Sequence, residues 1–266
     1  MNGEIHHLML IASHANRCLV DKQLEKLKPY DDDKHYRVQF IKPNNMLKGT
    51  QTEYNTISWL QDLKNRDCKG VMILNNSKSK DERITSAFVG GGRKWSLICL
   101  FDNTKELWLP SWELENKPPN TKWQITYNLL DPDLDINLEN DHVNLDELSD
   151  RLKNALSNIS QLAEDIDEEF WKESFFDKAL QIVEGKLVKE NQLPDIYSDQ
   201  AQRIINAVYS SWVFGGMGSW NDSPPYSAQL HGKEKEFSLF SDTLYETMMD
   251  CIEGAVNSYG RDKYAK

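Results

Sequence analysis

The residues best suited to making specific contacts are concentrated between positions 212 and 226, where the sequence reads WVFGGMGSWNDSPPY. Tryptophan and tyrosine offer a large contact area at a low entropic cost, which is why they dominate the energetics of protein interfaces. We expect an aromatic binding platform here, with Trp220, Asn221 and Asp222 at its rim. The candidate binding residues are Trp212, Phe214, Met217, Trp220, Asn221, Asp222 and Tyr226.

The same segment also has a purely structural interpretation. Its glycines follow a predicted helix, whereas a phosphate-binding loop precedes the helix whose free N–H groups bind the anion. Gly215 would be the left-handed stop of that helix, Phe214 and Met217 would hold the loop to the core, and Pro224 and Pro225 would stiffen it. A scaffolding loop is therefore the alternative to a binding platform.

A second glycine cluster, Gly90-Gly91-Gly92-Arg93-Lys94, has the composition of an anion-binding nest. No helix is predicted directly after it, so no helix dipole would add to the field of its N–H groups. A turn or bulge that joins a strand at 88–89 to the next strand is the simpler interpretation.

Residues for catalysis or metal binding show no diagnostic spacing. There is no Gly-x-Ser-x-Gly elbow and no HExxH or paired Cys/His pattern. His6 and His7 would point to opposite faces of a strand, and Asp31-Asp32-Asp33 lacks the spaced oxygens of a calcium loop. We predict neither a metal nor a cofactor, although a distant pairing of Cys18 or Cys99 with His14 or His142 stays open. Cys99, between two apolar neighbours, is expected to be inert core.

The charge of the chain restricts its partners. The 266 residues carry a formal charge of −11, and an acidic surface of this kind repels nucleic-acid backbones and anionic membranes. A basic protein would be attracted, because complementary fields accelerate encounter, but acidity also serves solubility alone. No segment has the form of a signal peptide or a membrane span. Four scattered cysteines suit a reducing compartment, so we expect a cytoplasmic protein.

The first half of the chain alternates between strand and helix patterns, and later becomes an antiparallel meander. Helices are expected at 16–27 and 57–63. Strands are expected at 5–12, 35–41, 71–74, 88–89, 95–101, 107–112 and 123–129.

The second half is helical. An acidic, proline-marked stretch at 131–143 is the predicted linker between an α+β domain at 1–130 and a helical region at 144–266. About four amphipathic helices follow, the first capped by Asn144, the second stopped by Gly185, and the third beginning after Ser198. The predicted fold class is therefore α+β, with a mixed N-terminal sheet and a helical region that can pack on it or close its own core.

These observations favour a non-catalytic protein-binding module, such as an inhibitor or immunity-type protein that neutralises a basic partner. On this hypothesis, Trp220→Ala would abolish binding and leave the melting temperature almost unchanged. The alternative is a small-molecule enzyme with a cleft between sheet and helices, lined by the 212–226 loop and by His14 or Asp222. Self-association through exposed aromatic side chains is a third possibility.

Overall fold

The computed structural model describes residues 1–21, 36–43, 50–75, 82–86, 88, 90–117, 120–134 and 144–261. They form an α+β fold with a six-stranded mixed sheet and mostly C-terminal helices, which confirms the predicted class. The chain divides into two compact units. The helical unit comprises Met1–Met9, Asn75–Lys94 and Asp141–Lys266, and the sheet unit comprises Leu10–Leu74 and Trp95–Asn140.

The strands of the sheet unit follow the spatial order β2-β1-β6-β5-β4-β3. β4, β5 and β6 pair antiparallel as the predicted meander, whereas β1 pairs parallel to β6 and antiparallel to β2. The short β2 was not predicted, and Phe88 is not in a strand. The strands are β1 (Tyr36–Pro43), β2 (Gln51–Tyr54), β3 (Gly70–Asn75), β4 (Trp95–Leu100), β5 (Lys105–Lys117) and β6 (Asn120–Asp131).

An aromatic cluster joins the sheet to α2 (Thr56–Asn65). The ring of Phe40 stacks on Trp59 of this helix at 4.0 Å between centroids, and on Tyr127 of the neighbouring strand at 4.8 Å. Alternation along the strands aims these side chains at one face, as the sequence pattern indicates. At the margin of the cluster, the largely buried carboxylate of Glu106 accepts two hydrogen bonds from Arg66, at 2.8 and 3.0 Å. The ion pair of Arg66 and Glu106 thus borders the apolar cluster.

The first helix, α1 (Gly3–Asp21), corrects the expectation of a strand at 5–12. Its buried side chains include Ile5, Leu8, Met9 and Ala12, whose spacing of three and four residues is helical. The short apolar run fits either period, and length alone favoured a strand. The helix expected at 16–27 is the end of α1, and positions 22–27 lie outside the described residues.

Within the sheet unit, α1 also protects the edge strand β3. The side-chain amide of Asn16 donates to the carbonyl oxygen of Val71 at 2.8 Å, and its oxygen accepts from the N–H of Val71 at 2.7 Å. An edge strand presents backbone groups that would otherwise be unpaired, and here both groups are buried. Asn16 therefore takes the place of a residue in a neighbouring strand.

The helical unit contains the four predicted helices, with two differences. The second is interrupted by a π-helical turn at Lys172–Phe176, and the last, for which the sequence pattern indicates a start near Ser241, begins at Glu234. A short helix at 224–230 was missed because its two prolines were assigned to a loop, although proline suits the first helical turn. The helices are α3 (Glu82–Thr85), α4 (Leu145–Asp165), α5 (Glu169–Trp171), α6 (Asp177–Val183), α7 (Asp199–Ser210), α8 (Pro224–Leu230) and α9 (Glu234–Arg261).

Three predicted helix ends are confirmed, but Gly215 is not the left-handed stop of α7. That helix ends at Ser210, and the glycine with a positive φ in the following loop is Gly218. Asn144 caps α4 by accepting from the N–H groups of Asp146 and Glu147, and Ser198 caps α7. Gly185 has a φ of +75° after α6, the left-handed conformation expected of a C-terminal stop. Local capping chemistry was therefore readable from the sequence.

Several sequence-based expectations fall on residues outside the described ranges: the acidic turn at 31–33, His35, Val89, His142 and most of the linker. The division into a domain at 1–130, a linker at 131–143 and a helical region at 144–266 stays a prediction. Within the described ranges, none of the helices combines the length and apolar character that a membrane-crossing helix requires.

We predict that Asn16→Ala lowers the free energy of unfolding by about 1–3 kcal/mol, because the buried N–H and C=O of Val71 lose their partner. Chemical denaturation measures the change. Asn65→Ala, at an exposed position, is the matched control and should stay within about 0.5 kcal/mol of wild type. Equal changes in the free energy of unfolding from the two substitutions would show that the contact of Asn16 with Val71 does not stabilise the fold.

Candidate functional site

The 212–226 segment is organised around Trp220, whose side chain is completely buried. Its indole stacks on Phe237 of α9 at 5.3 Å between centroids, and meets Phe176 edge-on at 5.0 Å and Trp171 at 5.9 Å. The indole N–H donates to the hydroxyl of Ser241 at 2.8 Å, which satisfies its one polar group. Trp220 therefore does not stand at a binding rim, and that expectation is wrong.

Short hydrogen bonds fix the loop before Trp220. The N–H of Gly218, at a φ of +77°, donates to the carboxylate of Asp222 at 2.7 Å. The hydroxyl of Ser219 donates to the carbonyl oxygen of Gly215 at 2.9 Å, and the backbone N–H of Trp220 donates to the carbonyl oxygen of Val213 at 3.1 Å. Asp222 is thus engaged with the backbone of its own loop.

The seven candidate residues do not form a single platform. Phe214 and Trp220 are buried, while Trp212 and Asn221 are half-buried. Asn221 forms hydrogen bonds in both directions with Arg83, which also pairs with Asp242 on α9. The rest of the set is exposed: Met217, Asp222 and Tyr226. Met217 is 97% exposed, so the expectation that it holds the loop to the core is also wrong.

Two exposed apolar residues near Tyr226 were missed by sequence reasoning. Phe170, Tyr226 and Leu230 are 63%, 65% and 66% exposed, which is unusual for three large apolar side chains in one region. Tyr226 and Leu230 are four residues apart and so share one face of α8. The neighbouring Phe170 and Trp171, and the four-residue spacing of Tyr226 and Leu230, are visible in the sequence. Both patterns are equally typical of helix faces that are buried.

A hydrogen bond joins the two segments of the helical unit that carry these side chains. The hydroxyl of Ser227, next to Tyr226, donates to the carboxylate of Glu168 at 2.7 Å, two residues before Phe170. We call this region the acidic aromatic corner. It consists of Phe170, Tyr226 and Leu230 together with the carboxylates of Asp167, Glu168 and Glu169.

The corner continues inward as a chain of ring contacts. Phe170 lies 5.5 Å from Trp171 and 5.8 Å from Phe175 between centroids, and Trp171 in turn meets Trp220. Trp171 directly precedes the π-helical turn, and Phe175 lies within it. Turns of this kind are rare in proteins and are often found at functional sites. The exposed ring of Phe170 is therefore held by a rigid aromatic base.

Negative charge surrounds the exposed rings. Among the described residues, Glu169 has no salt bridge, and the carboxylate of Glu168 accepts a hydrogen bond from the neutral hydroxyl of Ser227 rather than from a cation. Asp167 lies 3.1 Å from the Nε2 atom of His231, and Asp165 lies 3.5 Å from the Nζ atom of Lys233. The hydrogen bond of His231 to the carbonyl oxygen of Ser227, and then the charge of Asp167, raise the pKa of His231.

The second glycine cluster is not an open anion nest. The N–H of Gly90 donates to the carboxylate of Glu4 at 2.9 Å, and that of Gly92 donates to the hydroxyl of Thr85 at 3.0 Å. The cluster joins α3 to β4, so the expectation that it joins two strands is wrong. The buried guanidinium of Arg93 is occupied by Glu82 at 2.7 Å and Glu246 at 2.5 Å. These groups hold the segment together.

The remaining candidates for catalysis lie in poor environments for it. Burial lowers the pKa of His7 to about 3, and burial followed by the charge of Arg17 lowers that of His14. Cys99 is fully buried as expected, and burial raises the pKa of its thiol, which keeps it protonated. No group of His, Cys, Asp and Glu side chains suited to a metal ion occurs in the described part of the chain.

No protein-family model, no curated protein and no solved structure matches this chain. A function therefore has to be inferred from the contacts, burial and charge of the residues themselves. The acidic aromatic corner is the region where these properties combine.

We predict that Trp220→Ala lowers the free energy of unfolding by about 3–5 kcal/mol, because it leaves a cavity among three aromatic rings. Met217→Ala, in the same loop but exposed, should change it by no more than about 0.5 kcal/mol. Urea denaturation followed by circular dichroism compares the two. A Trp220→Ala protein as stable as Met217→Ala would contradict the packing described above.

Proposed function

We propose that this chain is a cytoplasmic, non-catalytic protein-binding module, and that the acidic aromatic corner receives a basic segment of its partner. The observation that carries the proposal is the exposure of Phe170, Tyr226 and Leu230 beside carboxylates with few cationic partners. An inhibitor or immunity-type protein that neutralises a basic partner would need such a surface.

The aromatic base supports a role in binding because it reduces the entropic cost of association. Phe170 is held against Trp171 and Phe175, and α8 is tied to the end of α4 by Ser227 and Glu168. Side chains that are already ordered lose less conformational freedom when a partner binds. The exposed rings would then act as anchors that enter apolar pockets or cover apolar stems of the partner.

The charge of the corner favours a basic partner. Glu168 and Glu169 add to a chain whose formal net charge is −11. Long-range attraction accelerates encounter with a cationic surface, and the apolar side chains would then supply the short-range energy. Lysine and arginine suit both demands, because their aliphatic stems pack on aromatic rings while their charged ends reach carboxylates.

Two further observations bear on compartment and chemistry. No disulfide joins the four cysteines, all of which are buried, and this suits a reducing cytoplasm. The alternative of an enzyme loses its main support because Asp222 is bound to the N–H of Gly218.

The test uses synthetic peptides rather than an unidentified partner. Lysine-rich peptides with one leucine or tryptophan anchor are titrated into the protein by calorimetry, alongside glutamate-substituted and anchor-free versions. We expect binding only by the basic, anchored peptides, weakened by salt because exposed charges are screened. The double variant Tyr226→Ala/Leu230→Ala should bind about 10- to 30-fold more weakly, as the loss of two interface anchors predicts.

Val188→Ala is the matched control, since Val188 is exposed and apolar but belongs to a different loop, after α6. Equal binding by wild type and the double variant, or equal binding of basic and acidic peptides, would contradict the proposal. Sedimentation at several concentrations distinguishes a corner that binds a second copy of this chain.

A further inference from the structure

Both ring nitrogens of His231 face oxygen atoms that accept hydrogen bonds. Its Nδ1 atom lies 2.8 Å from the carbonyl oxygen of Ser227, and its Nε2 atom lies 3.1 Å from a carboxylate oxygen of Asp167. A carbonyl oxygen and a carboxylate can only accept hydrogen bonds, so both ring nitrogens must carry a proton to satisfy them. This geometry therefore favours the positively charged imidazolium.

Asp167 makes this contact from a backbone conformation that is uncommon for a residue other than glycine. It follows the end of α4 with a φ of +58°, a left-handed position that glycine occupies without strain. The N–H of Asp167 bonds to Glu164, and the N–H of Glu168 bonds to Ala163 at 2.7 Å, which completes the helix stop. Glycine would make this turn at lower cost, but only a side chain here can reach His231.

We propose that His231 and Asp167 form a proton-controlled clasp at the acidic aromatic corner. In the protonated state, His231 joins α8 to the end of α4 and neutralises Asp167. In the neutral state, one ring nitrogen has a lone pair facing the carboxylate, so the contact is lost and Asp167 becomes available to a cation. The regulatory part of this inference rests on the proposed binding of a basic partner at the same corner.

The surrounding charges favour the protonated state at mildly acid pH. Besides Asp167, the charged groups around the clasp include Asp165, Glu168 and Glu236, and the cation Lys233, which pairs with both Asp165 and Glu236. The environment is therefore net negative, in agreement with the raised pKa of His231. Glu168 remains bound to Ser227, so α8 keeps one attachment when the clasp opens.

The sign of the pH effect follows from linkage. A histidine whose folded pKa lies above its unfolded value of about 6.5 stabilises the folded state below that pH, and this contribution is lost as pH rises through the folded pKa. The clasp is thus closed in mild acid and opens towards neutral and alkaline pH. Opening exposes one additional negative charge to a basic partner.

The direct test is an NMR titration of the His231 ring in wild type and in Asp167→Asn. We expect His231 to titrate above about 6.5 in wild type and closer to 6.5 in the variant, because the carboxylate is gone but the carbonyl of Ser227 remains. Asp67→Asn is the matched control, since Asp67 has a φ of +59° after α2 but pairs with Lys69. Titration of wild-type His231 at or below 6.5, or no response to Asp167→Asn, would overturn the clasp.

The regulatory test measures the affinity of the protein for the basic, anchored peptide at pH 5.5 and at pH 7.5. Wild type should bind about threefold more tightly at pH 7.5, the effect of one unit charge at roughly 6 Å in water. His231→Gln, which cannot change charge, should bind equally at both values. If wild type bound the peptide equally at both pH values although His231 titrated as expected, the proposed regulation would be overturned. If the peptide bound at neither pH, the proposed function and this regulation would both fail, while the titration would still decide whether the clasp exists.

Discussion

The helical unit depends on the burial of one indole. Trp220 is the largest side chain that the 212–226 segment contributes to the core, and it contacts α5, the π-helical turn and α9 at once. An indole buried this deeply needs a partner for its N–H, and Ser241 supplies it. Because this contact joins segments that are distant in sequence, it determines where the loop before Trp220 runs and where α8 begins after it.

The surface features follow from that arrangement. The ring contacts that start at Trp220 pass through Trp171 and end at Phe170, which is exposed. α8 turns Ala228 inward and leaves Tyr226 and Leu230 facing outward. A binding surface and a scaffold are therefore not alternatives for this segment. Its buried half is the scaffold, and its exposed half carries the side chains available to a partner.

Much of the fold could be predicted because strands and helix ends have local signatures. Alternation at 35–41 and 123–129 gave two neighbouring strands, and Asn144 and Ser198 gave two helix starts. The error at α1 has a physical reason: an apolar run of about eight residues satisfies both the period of a buried strand and that of a helix. α8 was missed because two prolines signal a turn as readily as the first turn of a helix.

The sequence by itself determined the fold class, the acidic character and most helix ends, since these depend on composition and on neighbours within a few positions. Only the tertiary structure decided that Trp220 is buried while Met217 and Tyr226 are exposed, because each had the same apolar character in the sequence. Burial is set by partners far along the chain, such as Phe237 and Ser241 for Trp220. The environment of His231 is decided in part in the same way, because Asp167, which lies 3.1 Å from its Nε2 atom, comes from a segment 64 residues earlier.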